Sequence, residues 1–530
     1  MPTIDRRTLL TGAAASLGLG LAGSRPAAAA PVAARVNAVP VRREQHRVVV
    51  VGSGFGGGVT ALRLAQAGVP VTLLEQGIRW PTGPNSDTFP HVTAPDKRLL
   101  WFGANPRIIG QKRVFAPYPG LVDAVHGDNI TSLYGVGVGG GSLIYQGMTL
   151  QPAEHVFRAL LPDGLNWDLM NRVYYPRVAR MLHAATAPDA LINSRTYRPP
   201  RIFKRYAERA GYSVEKIPMP IDWNVALAEL RGELRPSYIN SDLFGARNGG
   251  KFSVDVTYVK QAEATGNCTV HVLHQVTDVA RAKDGRWEVH VDRLNMTGDV
   301  VEKKILTTRA LVLGAGSGNT SKLLVRAAGT GQITDLPEAL GTGWGTNGDR
   351  IYVWTNLEDD FGTPQGGPVI YGTKDWADPA RANTVIQASL PFPAGVNPRS
   401  TMMVGFGVST GRGRFVYDGA SDKVKLHWPK NGDAAIWKTI AARANRIVGR
   451  CGFLTDTNAL ANTTWHPLGG AAMGSVCDLD GRVLGQKGLY VLDGALIPGT
   501  TGACNPSMTI AAVAERALDN LVRADVGSLI

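Results

Sequence analysis

Gly52, Gly54 and Gly57 stand at G-x-G-x-x-G spacing directly after Val48, Val49, Val50 and Val51, and Glu75 closes the next apolar run, Val71 to Leu74. Each part bears on holding a dinucleotide. The first glycine permits a tight turn, the second lets backbone approach a pyrophosphate, and the third packs helix against strand. The phosphates would sit at the helix N-terminus, where unpaired N–H groups and the helix dipole favour an anion. Glu75 can accept hydrogen bonds from a ribose whose 2′-hydroxyl is free, which disfavours NADP. In a chain with 63 glycines the spacing alone would carry little. The β-branched run before it, the apolar helical pattern of Ala61, Leu62, Leu64 and Ala65 after it, and the acidic end together specify strand, turn, helix and strand.

Other elements must complete that unit. Ala310 to Leu313 is a second buried run, followed by Gly314, Ala315, Gly316 and a helical pattern through Leu323, Leu324 and Val325. Leu489 to Leu492 is a third, followed by Asp493, Gly494, a Pro/Gly-rich loop and a helix expected over 506–522. Val270 to Leu306 reads as a strand meander with turns at Asp284-Gly285 and Thr297-Gly298. Trp167 to Ala184 reads as helix, and Arg350 to Trp428 alternates β-branched and aromatic residues between Gly/Pro turns, as an antiparallel sheet does. The expected fold is α/β, α+β overall. A Rossmann-like dinucleotide domain is assembled from residues 46–150, 250–335 and 478–525, and residues 151–249 and 336–477 form a second, substrate-binding domain on an antiparallel sheet. A ligand crevice lies between them.

At 530 residues, with 44% hydrophobic content, the chain is long enough for two structural units with a sizeable core. Residues 1–30 stand apart. Arg6 and Arg7 precede Thr8, Leu9 and Leu10, a small apolar run reaches Leu21, and Ala27 to Ala30 follow, the pattern of a twin-arginine export signal cleaved between Ala28 and Ala34. A secreted protein is expected, and a folded-state export route suits a chain that closes around a large cofactor. The net charge of +13 is scattered without a Lys/Arg run or a basic helix, so nucleic acid is not a partner and membrane contact is at most peripheral. Cys268, Cys451, Cys477 and Cys504 show no C-x-x-C spacing, so no metal site is expected. They are open to as many as two disulfides or to burial as free thiols. A monomer is expected.

Six blocks in order resemble the glucose–methanol–choline (GMC) oxidoreductases, and within them the bacterial cholesterol oxidases that bind FAD non-covalently. The blocks are VVVGSGFGGG at Val49 to Gly58, GVGVGGGSLIYQGM at Gly135 to Met148, VLGAGSGNTSKLLVRA at Val312 to Ala327, RFVYDGASDKVKLHW at Arg414 to Trp428, WHPLGG at Trp465 to Gly470, and the stretch from Gly488 to Leu521. The resemblance implies FAD as cofactor. It implies Gly52, Gly54, Phe55, Gly56, Gly57 and Glu75 at the adenosine and pyrophosphate half, and Gly139, Gly140, Gly141 and Ser142 along the pyrophosphate and ring. It also implies Asp493 and Gly494 at the ribityl chain and ring, with Met148, Val276, Gly314, Asn505 and Pro506 completing the cofactor site.

Alcohol oxidation removes a hydride from carbon and a proton from the hydroxyl, so the site needs a group that accepts that proton near neutral pH. His466, in WHPLGG, has the chemistry. Asn505 before Pro506 is an ordinary helix opening, with Asn at N-cap and Pro at N1. The positive end of that helix would also stabilise a reduced, anionic ring, and Asn505 could offer its amide to the substrate oxygen. His466 and Asn505 are therefore the candidate catalytic pair, acting on a small-molecule alcohol, a sterol being the first to try, with oxygen or a quinone as electron acceptor. The chain also departs from the cholesterol oxidases. Counting back from Pro393-Ala394-Gly395, Ala388 occupies the place of their isomerising glutamate, with Gln387 beside it, so steroid isomerisation is expected to be weak or absent. The entrance near residues 103–121 is shorter and carries Arg107, Lys112 and Arg113, and Tyr145 and Gln146 replace Asn-Gly. A dehydrogenase on another alcohol or polyol, and a lyase that keeps FAD only as structure, are the alternatives.

Overall fold

The computed structural model describes residues 39–84, 87–91, 94–103, 115–236, 247–390, 399–459 and 462–530. The expected signal, Arg107, Lys112 and Arg113 at the entrance, and Pro393 to Gly395 lie outside the described residues.

The valine run forms the strand Val48–Val51, all four residues buried, at the centre of a five-stranded parallel sheet. Ala310–Leu313 pairs on one side of it and Val71–Leu74 on the other. Leu489–Val491 and Cys268–His271 take the outer places. A strand buried on both faces suits this continuous β-branched sequence. The helix Phe55–Gln66 covers the sheet, but it is buried on nearly every side, from Gly56 through Leu62, rather than amphipathic. The closing helix Ser507–Ala524 packs along it, which is why small residues line that interface.

The backbone there has no slack. A Cβ on Gly56 would lie 1.5 Å from Leu492 O, one on Gly57 1.9 Å from Gly52 O, and one on Gly52 2.5 Å from Gly314 O. Gly52 also adopts a φ of +90°, which other residues reach only with strain.

The meander forms with its expected turns, as strands His274–Arg281, Trp287–Leu294 and Val300–Thr308. It gains an edge strand, Val41–Gln45, paired parallel to Val300–Thr308. The second unit is a six-stranded antiparallel sheet in the order Gly452–Asp456, Arg350–Asn356, Ser400–Gly407, Asn383–Ala388, Tyr371–Asp375, Glu215–Lys216. The helices Arg198–Arg209 and Ala434–Val448 pack on it around a separate apolar core.

The hairpin Arg414–Asp418 and Lys423–His427 does not join that sheet, contrary to the expectation for Arg350 to Trp428. It pairs parallel with Val122–Asp128, which with Ile130–Gly135 and Thr463–Thr464 completes a five-stranded sheet. Leu426 lies opposite Gly127, whose Cβ would come within 2.7 Å of the leucine side chain, so the missing side chain makes the pairing possible. One sheet thus crosses the expected boundaries at residues 150 and 336. All four cysteines are free, three of them buried. Among the described residues no helix is long and apolar enough to cross a membrane.

Lys251 is the most unusual buried charge. Its Nζ donates to Leu143 O at 2.9 Å and Tyr145 O at 2.6 Å and lies 4.9 Å from the Tyr145 ring, pinning the segment after the second glycine cluster. Burial, assisted by Arg247, pushes its pKa down to about 7.

Two outcomes follow from this packing. Gly56→Ala is expected to cost about 3 kcal/mol, read as a fall in the urea unfolding midpoint, because the methyl group meets backbone that cannot retreat. For Lys251, the folded pKa lies below the unfolded one. The unfolded chain therefore binds the extra proton between about pH 7 and 10, and stability rises with pH across that window. Relative to Lys251→Met, the wild type should gain on the order of 3 kcal/mol over that range in urea titrations.

Candidate active site

A cavity of about 860 Å³ opens where the ends of the parallel sheet meet the antiparallel sheet. The turn after Val51 contributes Gly52, Gly54, Phe55 and Gly56, and the turn after Leu313 contributes Gly314 and Gly316. The loop after Val491 brings Asp493 and Gly494, and the second glycine cluster brings Gly140 and Gly141. Glu75, Met148, Val276, His466, Asn505 and Pro506 also reach its wall. The topology therefore gathers most of the candidate residues around one space. Three of the candidates do not line it. Gly57 packs helix on strand, and Gly139 lies against Asp255. Ser142 is buried with its hydroxyl donated to Gly139 O and accepting from Val254 N, so it shapes the turn from behind.

The wall fits a flavin dinucleotide at several independent points. A Cβ on Gly54 would meet nothing closer than Gly140 Cα at 4.0 Å, and one on Gly141 would meet no atom within 4 Å. The backbone is bare toward the cavity there, as close approach of a pyrophosphate requires. The helices Phe55–Gln66, Ser317–Gly329 and Ser507–Ala524 all begin at the cavity wall, and none carries an acidic residue in its first turn. Asp493 bonds at Gly316, the cap of the second, and the positive ends of the other two match an anionic ligand.

Two of the acids at the wall, Glu75 and Asp493, are held by donors. Glu75 accepts from Ser53 Oγ at 2.6 Å, Gly77 N at 2.9 Å and Gly137 N at 3.2 Å, while burial pushes its pKa up against those bonds. Asp493 accepts from Thr320 Oγ1 at 2.6 Å, Ala495 N at 2.7 Å and Gly316 N at 2.8 Å, and burial raises it to about 6. Asp493 thereby ties the third strand's loop to the helix following the second.

At the other end of the cavity the wall is apolar: Met148, Ile351, Ile386, Val404 and Trp465. Ile351, Ile386 and Val404 come from three neighbouring strands of the antiparallel sheet. Tyr145 stands edge-on to Phe55 with ring centres 5.5 Å apart, and its hydroxyl is buried without a protein partner.

His466 is 6% exposed and lies between Phe406 and Trp465, with ring centres 5.6 and 6.0 Å away. Its Nδ1 sits 2.6 Å from Asp349 Oδ1, which leaves Nε2 as the nitrogen available to the cavity. Asp349 escaped the sequence reading, because a lone acid inside GTNGDR carries no local motif.

Asn505 does not cap the last helix as expected. The helix begins at Ser507 with Pro506 at its cap position, and no side chain caps it. Instead the Asn505 amide donates to Met148 O and to Ser507 Oγ, and its Oδ1 accepts from Leu150 N at 3.3 Å. A carbonyl on one side and an N–H on the other fix which way the amide points. Asn505 thus ties the helix N-terminus to the segment Met148 to Leu150 at the cavity wall.

The comparisons with known proteins agree with this geometry. A GMC oxidoreductase family model matches residues 428–514, the stretch that holds His466, Asp493 and Asn505. A cholesterol oxidase of Mycobacterium tuberculosis is 27% identical, covering 90% of this chain and 91% of its own length. A cholesterol oxidase of Acinetobacter baumannii is 23% identical over 90% of this chain and 94% of that protein. Among solved structures, pyridoxine 4-oxidase from Mesorbium loti superposes with a TM-score of 0.62 at 16% identity, covering 90% of this chain and 99% of that one. A fungal aryl-alcohol oxidase gives 0.61 at 14% identity, over 91% and 99%. Matched at its C-terminal region by the GMC oxidoreductase model and along nine-tenths of its length by cholesterol oxidases, and sharing the fold, the chain is similar to the GMC oxidoreductases, FAD-binding enzymes that act on alcohols.

Proposed function

We propose that the protein oxidises an apolar secondary alcohol to the ketone, with a 3β-hydroxysteroid as the leading substrate and with little steroid isomerisation. The carrying observation is His466, buried at the cavity wall with Nδ1 engaged by a carboxylate and Nε2 left for substrate. FAD, when bound among Gly52, Gly54, Gly140, Gly141 and Asp493, supplies the hydride acceptor. The protein's own part is to hold the alcohol against the apolar wall, exclude water, and receive the hydroxyl proton at His466 Nε2. Removing that proton leaves charge on the substrate oxygen, which can collapse to a carbonyl as hydride departs.

The substrate class rests on the wall of Met148, Ile351, Ile386, Val404 and Trp465, which offers apolar surface to a bulky hydrocarbon. The relatives named as cholesterol oxidases support the same reading. Against isomerisation stands the strand Asn383–Ala388. Ala388 is buried and carries no acid, and Gln387 Nε2 donates to Thr401 Oγ1 at 3.1 Å inside a neutral cluster with Gln365. We further propose secretion through the twin-arginine-type leader, and oxygen or a quinone as electron acceptor.

Anaerobic mixing with alcohols tests the reaction. Cholesterol or another apolar secondary alcohol should bleach the flavin, and His466→Gln should slow that bleaching roughly 10²- to 10⁴-fold. A flavin that no alcohol bleaches while the protein turns over a hydroxynitrile would establish the lyase reading. With cholesterol, the unconjugated ketone should accumulate, and rapid appearance of the conjugated 4-en-3-one would refute the assignment of Ala388 and Gln387.

A further inference from the structure

Asp349 precedes the strand Arg350–Asn356, which lines the second unit, yet its carboxylate is spent entirely on the turn that carries His466. Oδ1 lies 2.6 Å from His466 Nδ1. Oδ2 accepts from Thr464 Oγ1 at 2.6 Å, Trp465 N at 3.1 Å and His466 N at 3.2 Å. The side chain is fully buried. Backbone N–H groups can only donate, so this is an acceptor site throughout. An ionised carboxylate has no proton to give, and the imidazole must therefore bring its own proton to Nδ1, with the lone pair at Nε2.

Two residues earlier, Asn347 grips the other half of the candidate pair. Its Oδ1 accepts from Thr500 Oγ1 at 3.1 Å and Thr501 N at 3.3 Å, and its Nδ2 donates to Thr501 Oγ1 at 3.1 Å and Cys504 O at 2.8 Å. Gly348 joins them with a φ of +62°, and a Cβ there would lie 2.4 Å from Ile436 Cγ2. One short segment thus braces the turn of His466 and the loop that leads into Asn505.

We propose that Asp349 is the positioning residue that fixes His466 in the tautomer able to accept a proton at Nε2. It also balances the imidazolium formed when the alcohol's proton arrives. The O–H bond of the substrate breaks, the N–H bond at Nε2 forms, and the Nδ1 proton stays donated to Asp349. The inference rests on the alcohol-oxidising role of His466, but the tautomer can be measured without it.

Asp349→Asn tests the assignment. Its amide oxygen would stay with the Trp465 and His466 N–H groups, turning the NH₂ toward Nδ1. The ring would then have to accept at Nδ1 and carry its proton at Nε2, where it blocks proton transfer. The ¹⁵N spectrum of histidine-labelled holoprotein, with His466 signals identified by their loss in His466→Gln, should show Nδ1 protonated in the wild type and Nε2 protonated in Asp349→Asn. The limiting rate of anaerobic flavin reduction should fall roughly 10²- to 10⁴-fold, with alcohol affinity little changed.

A wild-type spectrum with the proton on Nε2, or Asp349→Asn reducing its flavin at the wild-type rate, overturns the proposal. Should the variant fail to fold, the wild-type nitrogen signals decide alone. If no alcohol bleaches the wild type, the proposed reaction falls, and Nδ1 protonation still upholds the placement.

Discussion

Backbone meeting backbone at the ends of three parallel strands is the constraint on which the structure depends. Gly52, Gly56 and Gly57 leave less space than one methyl group against Gly314, Leu492 and one another. A side chain at any of them would push apart segments that the sheet must keep in register. Because they stay together, the floor of the cavity is made of peptide groups from turns far apart in sequence. Asp493, bonded to Gly316 N and Thr320, locks one of those turns to the next helix. The same convergence delivers Gly494 and the loop before Asn505 to the place where the antiparallel sheet supplies its apolar wall.

Electrostatics follow from that arrangement. Three helices start at the cavity wall without an acid in the first turn, while the buried carboxylates nearby, Glu75 and Asp493, are surrounded by donors. Asp493 offsets one of those ends at Gly316, and the positive potential of the other two is left for a ligand. At the substrate end two polar groups have a fixed direction. Asn505 is oriented by a carbonyl on one side and an N–H on the other, and His466 by Asp349.

Much of the fold was legible because its signals are local. Four valines in a row, the Asp284-Gly285 and Thr297-Gly298 turns, and the glycine spacing each specify structure within a few residues. The family resemblance added which of these meet at a cofactor, and most of the residues it suggested do line one cavity. What was not legible depends on pairing across the chain. The hairpin ending at His427 pairs with Val122–Asp128, and no property of either strand announces the partner. Asp349 lies 117 positions from His466, in a stretch that reads as an ordinary polar turn. Asn505 followed by proline has the pattern of a helix cap, but the Oδ1 that would accept from the helix accepts from Leu150 N instead.

Cys268, Cys477 and Cys504 sit within the apolar cores, and Cys451 stands at the start of an edge strand; none is bonded to another. Burial pushes the Cys268 thiol up to about 11, and Cys477 and Cys504 well above the ordinary thiol range, so at neutral pH these three stay protonated and unreactive. The native state therefore needs no oxidant to form and loses nothing to a reductant. A chain built this way can reach its final shape in a thiol-rich compartment.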